Sequence, residues 1–116
     1  MVYAHNEISI IQKSYNLYKL TYDYAKKFPK SDKYSLGEKI KNLLLEILEL
    51  LIEAETAKRD WKQPVLEKAS RKLNLLKILL RLANDIKILD DKKYLTAQDQ
   101  VQEIGRMLGG WIKAMR

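Results

Sequence analysis

Apolar side chains recur at alternating spacings of three and four along almost the whole chain, and nowhere do they alternate residue by residue. That rhythm lines up one face of a helix, whereas a strand needs a period of two, so the sequence is confined to an all-α fold. Ile8, Ile11, Tyr15, Tyr18, Tyr22 and Ala25 make a first stripe, and Leu36, Ile40, Leu44, Ile47, Leu51 and Ala54 a second. Leu73, Leu76, Leu80 and Ala83 make a third, and Val101, Ile104, Leu108, Trp111 and Met115 a fourth. Each is read as the buried face of an amphipathic helix.

The breaks between stripes carry stop and start signals. Pro29 is expected to end the first helix at Phe28, and Ser31 or Ser35 to cap the second, with Ser35-x-x-Glu38 fitting a capping box. Pro64 suits the first turn of the third helix, and Thr96, with Asp99 three residues on, suits the cap of the fourth after a DDKKYL connection. The expected helices are residues 5–28, 32–57, 63–90 and 96–115. Short links between long helices predict an antiparallel, up-down-up-down four-helix bundle. The 116 residues suit a single domain, residues 1–116, with a core that needs no staple.

Several kinds of chemistry lack their residues. There is no cysteine, and the one histidine, His5, stands in a segment expected to fray, so thiol and imidazole chemistry lose their main actors. Inward Glu-x-x-His pairs, which a di-iron bundle needs, do not occur, and Glu46, Glu49 and Glu53 fall on the polar side of the second helix with Glu38 and Asn42. No phosphate-binding glycine loop or GxSxG elbow is present either. The expectation is a protein that is not an enzyme, with no catalytic residue, metal, cofactor or small-molecule substrate. The opening MVYAHNEISI does not read as a secretory signal, and runs such as 43–45 fall far short of the ~18 apolar residues of a membrane span. A soluble, cytoplasmic protein with no membrane partner is expected.

The surplus of charge and of apolar surface points outward. The net charge of +7 favours polyanionic partners. Lys77 and Arg81, one turn apart, are the only charges in residues 73–83, and like charges at that spacing invite an acidic or phosphate partner. The alternative is that Arg81 pairs with Asp85 while Lys77 keeps the helix soluble. Arg106 and Lys113 share a face with Gln102, and Lys58, Arg59 and Lys62 crowd the second link; these either extend a basic surface or form a polar rim.

The third helix also carries Leu75, Ile78, Leu79, Leu82, Ile86 and Leu89 outside its core stripe, and the first carries Ile10, Leu17 and Tyr24 roughly opposite its own. Contiguous exposed apolar surface marks protein interfaces, and a homo-oligomer is expected to cover it. Gly105 and Gly109, one turn apart, each cost a helix about 1 kcal/mol relative to alanine. Close approach of a neighbouring helix would offset that cost.

Three stretches, FPKSDKYSLGEKI (28–40), LKILLRLANDIKIL (76–89) and EIGRMLGGWI (103–112), resemble the accessory variability determinant (Avd) proteins of diversity-generating retroelements. They also resemble the wider group of four-helix-bundle proteins, including those encoded in intervening sequences of large-subunit ribosomal RNA genes. The Avd resemblance implies a homopentameric barrel with a basic surface. Such a barrel binds the element's reverse transcriptase and its template RNA, or RNA/DNA, and supports mutagenic cDNA synthesis. It further implies that Lys77 and Arg81 contribute to partner binding, while Arg106 matches the arginine of the glycine-rich motif. Lysine stands at residue 77 where some relatives have arginine, which keeps the charge and loses the planar fork. The other branch implies a structural or interaction module without a retroelement partner.

Overall fold

Four long helices form, each with one apolar face: α1, His5–Ala25; α2, Glu38–Thr56; α3, Arg59–Asp85; and α4, Asp91–Ala114. The computed structural model describes the backbone from His5 to Arg116 and side chains from Ser9 onward; the side chains of His5 and Ile8 lie outside the described residues. Helix α1 packs on α2 and α4, and α3 packs on the same two, closing one all-α domain of 43 × 22 × 21 Å. No strand occurs among the described residues, and no described helix is long and apolar enough to cross a membrane.

The core faces of α2, α3 and α4 are those the aliphatic stripes predict. Ile40, Leu44, Ile47, Leu51 and Ala54 are buried from α2, Leu73, Leu76, Leu80 and Ala83 from α3, and Val101, Ile104, Leu108 and Trp111 from α4. Leu89, expected on the outer side of the third helix, is buried beyond its end.

Helix α1 faces the other way from its sequence reading. Its inward stripe is Ile10, Ser14, Leu17, Thr21 and Ala25, continued by Phe28, while Tyr15 is 50% exposed and Tyr22 is 42% exposed. Ile10 and Leu17, expected as exposed apolar surface, are thus core residues; Tyr24 is half-buried. The physical reason lies in the two small polar residues of the true stripe. Ser14 Oγ donates to the Ile10 carbonyl at 2.9 Å and Thr21 Oγ1 donates to the Tyr18 carbonyl at 3.1 Å. A hydroxyl satisfied by its own helix is buried without an orphaned donor, and small side chains let α1 sit close to its neighbours. Tyrosines facing inward would need a partner for every phenol.

Helix boundaries shift for identifiable reasons. Helix α1 ends at Ala25, three residues before Phe28, whose N–H bonds to the Ala25 carbonyl. The chain becomes helical again directly after Pro29: one turn at Lys30–Asp32, a π-helical segment Lys33–Gly37, then α2 without a break. Neither serine caps it, and the capping box does not form, because Ser35 Oγ donates to the Ser31 carbonyl inside the helix. Helix α3 begins at Arg59, so Pro64 lies inside it rather than in its first turn. Pro64 and Asp60 are both exposed, which leaves the carbonyl that loses its donor on the solvent side.

Helix α3 closes with a Schellman arrangement. Lys87 adopts a left-handed φ of 66°, its N–H bonds to the Asn84 carbonyl, and the Ile88 N–H bonds to that of Ala83. Asn84 Nδ2 then donates to the Leu89 carbonyl and to Asp91 Oδ1, pinning the turn. Helix α4 starts early because Asp90 caps it, accepting from the Lys93 N–H at 2.8 Å. Thr96 is therefore interior, its hydroxyl bonded to the Lys92 carbonyl. Tyr24 of α1 meets this first stretch of α4: burial pushes its hydroxyl pKa up, Asp90 adds to the rise, and a hydrogen bond with Thr96 opposes it.

Candidate partner interface on helices α3 and α4

Lys77 and Arg81 point from α3 toward α4 and line a shallow open hollow with Ile78, Tyr94, Leu95, Gln98 and Gln102. Gln98 fixes its edge, with Nε2 donating to the Lys77 carbonyl and to the Tyr94 hydroxyl, both at 3.2 Å. The Lys77 ammonium reaches over α4 far enough that a Cβ on Gly105 would lie 3.8 Å from it. Neither Lys77 nor Arg81 has a carboxylate within ion-pair distance among the described residues, so the Arg81–Asp85 pairing does not form. The hollow therefore presents two cations, three amide or hydroxyl side chains and the aliphatic Ile78 and Leu95. It can hold an anionic group and hydrogen-bond around it.

The other basic positions do not line this hollow. Arg106 is exposed and bonded to Glu103, one turn earlier on α4, and Glu103 also lies 4.0 Å from Lys13 of α1. Lys113 is exposed near the end of α4. Lys58 caps α3 and Arg59 begins it, which at 1.5 Å per residue puts them roughly 27 Å along the helix from Lys77. Lys58 and Arg59 therefore do not join Lys77 and Arg81 in one patch.

The α3 stripe lies next to the hollow. Leu75, Ile78, Leu82 and Ile86 are exposed at spacings of three and four, Leu79 is half-buried beside them, and no described side chain of the subunit covers them. The glycines of α4 divide in two. Gly105 faces Leu73 at ordinary contact distance, whereas a Cβ on Gly109 or Gly110 would meet nothing within 4 Å. Packing inside the subunit requires neither of the latter. Tyr94, Leu95 and Gln98 were not singled out from the sequence; Gln98 stands one turn before Gln102, the signal that would have found it.

A family model described as bAvd-like matches residues 8–115, which takes in α2, α3 and α4, α1 from its fourth residue, and every residue of the hollow. The chain belongs to the bAvd-like family. That family is an accessory, non-catalytic one, and membership points to a role beside a retroelement. No curated protein matches the sequence closely enough to count as a relative. Lys77 and Arg81, without an ion-pair partner among the described residues, are the cations of the hollow between α3 and α4.

Proposed function

We propose that this bAvd-like protein is the non-catalytic accessory subunit of a diversity-generating retroelement, acting in the cytoplasm as a homopentameric ring of antiparallel bundles. The ring binds the element's reverse transcriptase and its template RNA and supports mutagenic cDNA synthesis. The observation that carries this reading is the hollow itself: Lys77 and Arg81 converge there without a carboxylate partner among the described residues, in a chain whose family match covers residues 8–115. Phosphates supply the missing counter-charge, and repetition around a ring turns weak contacts into useful affinity through effective concentration. Subunits meet through Leu75, Leu79, Leu82 and Ile86, and Gly109 lets a neighbouring helix approach α4. Leu17 has no part in that contact because it is buried in its own subunit.

The test is Lys77→Glu with Arg81→Glu, read as binding to the reverse transcriptase and to template RNA over a salt series, with oligomeric mass in the same buffers. The expected result is an unchanged mass and a loss of binding with a shallower salt dependence. Wild-type binding by that variant would contradict the role of the hollow. Absence of both partners' binding from the unaltered protein would favour an intervening-sequence-type module instead.

A further inference from the structure

Tyr15 and Tyr22 stand seven residues apart on α1, and each is followed four residues later by a lysine, Lys19 and Lys26. One helical turn brings each pair together: the Lys19 ammonium lies 5.0 Å from the centre of the Tyr15 ring, and that of Lys26 lies 4.6 Å from the centre of Tyr22. Lys41 of α2 approaches the same Tyr22 ring at 5.4 Å. Lys33 and Tyr34, from the π-helical segment, complete a hollow at the α1–α2 elbow together with Ala25 and Glu38.

Two lysines therefore converge on the Tyr22 ring and a third, Lys33, lines the same hollow, with a single carboxylate among the lining residues. That carboxylate, Glu38, is already engaged at 3.1 Å by Lys41. Residues 19–41 hold seven lysines against three acids, which is +4 of the chain's +7. Tyr34, 68% exposed, is the barest large apolar side chain described. It sits on the chain's one described π-helical segment, a departure from regular helix that recurs at functional sites.

We propose that this elbow is a binding surface for single-stranded nucleic acid, with backbone phosphates held among Lys26, Lys33 and Lys41 and a base stacked on Tyr34. Both halves of the chemistry are needed. An acidic peptide would satisfy the lysines and leave the Tyr34 ring bare, while a duplex would meet the lysines with its bases locked in their own stack. An unpaired strand offers a phosphate and a free ring face at every residue, and stacking on tyrosine tolerates any base. A second copy of this chain is disfavoured because its aliphatic surface would have to strip water from three ammonium groups. The surface is built from α1, α2 and the segment between them, shares no residue with the hollow of Lys77 and Arg81, and stands whether or not those residues bind RNA.

The experiment uses a short fluorescein-labelled oligouridylate and a blunt RNA duplex of equal length, titrated by anisotropy, with oligomeric mass measured for each variant. Tyr34→Ser should weaken oligouridylate binding by about 5- to 100-fold, Tyr34→Phe should restore it, and duplex binding should move by less than about two-fold in either. Lys26→Ala with Lys33→Ala should also weaken it and make its salt dependence shallower. All of this should hold in a Lys77→Glu/Arg81→Glu background, which separates the elbow from the hollow on α3 and α4. Oligouridylate binding unchanged by Tyr34→Ser overturns the proposal. So does a Tyr34→Ser variant whose oligomeric mass changes, since the face would then be a contact between copies.

Discussion

Helices α1 and α3 both turn apolar side chains away from the core, and the two surfaces are chemically opposite. On α1 they are Tyr15 and Tyr22, each with a phenol at its tip and a lysine ammonium over its ring. On α3 they are Leu75, Ile78, Leu82 and Ile86, which carry no polar atom in the side chain. A tyrosine can stay wet, because its hydroxyl keeps its water and its ring face attracts cations. An exposed aliphatic stripe recovers about 25 cal/mol per Å² only when something apolar covers it. Both surfaces are exposed, yet only the second calls for a protein neighbour.

The sharpest way to break the comparison is within α1 itself. Leu17→Ala should lower unfolding free energy by about 2–5 kcal/mol in urea titration, as for any fully buried leucine. Tyr15→Ala, on the opposite side, should cost less than about 1 kcal/mol. Equal losses would mean that α1 is turned as its tyrosines suggested.

Between helices, Ile78→Ser with Leu82→Ser should lower the oligomeric mass in sedimentation while helix content stays constant. Tyr15→Ser with Tyr22→Ser should leave that mass unaltered. Each covered leucine or isoleucine contributes about 1.5–3 kcal/mol to such a contact. A mass insensitive to the α3 change would remove the reason for separating the two surfaces.

Smaller effects sharpen the picture. Gly109→Ala should raise the stability of the subunit by about 1 kcal/mol, since its Cβ enters open space, and should weaken assembly if a neighbouring helix seats there as proposed. Comparing melting temperature with mass separates the two effects. Lys87→Gly should stabilise by about 0.5–1 kcal/mol, because lysine holds a left-handed position that glycine adopts freely; its measure is the urea midpoint at constant slope.

Much of the bundle was legible because aliphatic residues leave little choice. Leu44, Ile47 and Leu51, or Leu73, Leu76 and Leu80, have no other low-energy destination than the core. Helix α1 was misread because two stripes competed, and the richer in apolar atoms, Ile11, Tyr15, Tyr18 and Tyr22, lost to one containing Ser14 and Thr21. Counting hydrophobes penalises those hydroxyls, although bonds to their own helix make them compatible with burial. Thr96 and Ser35 fitted cap patterns, but Asp90 and Pro29 stand earlier and the helices start at the first site that works. The spacing of Lys77 and Arg81 put both on one face of α3, and left open whether Arg81 pairs with Asp85. Their hollow was not legible, since Tyr94, Leu95 and Gln98 reach it from another helix.

What the sequence determined by itself is therefore the all-α class, the inward faces of three helices and the placing of Lys77 and Arg81 one turn apart on α3. All three follow from periodicity along one chain. Only the tertiary structure decided which side of α1 is buried, which glycines lack a neighbour, and which lysines gather around Tyr22. Those outcomes depend on distances between helices, and side chains such as Lys26 and Lys41, fifteen residues apart in the chain, become neighbours only when α1 and α2 pack.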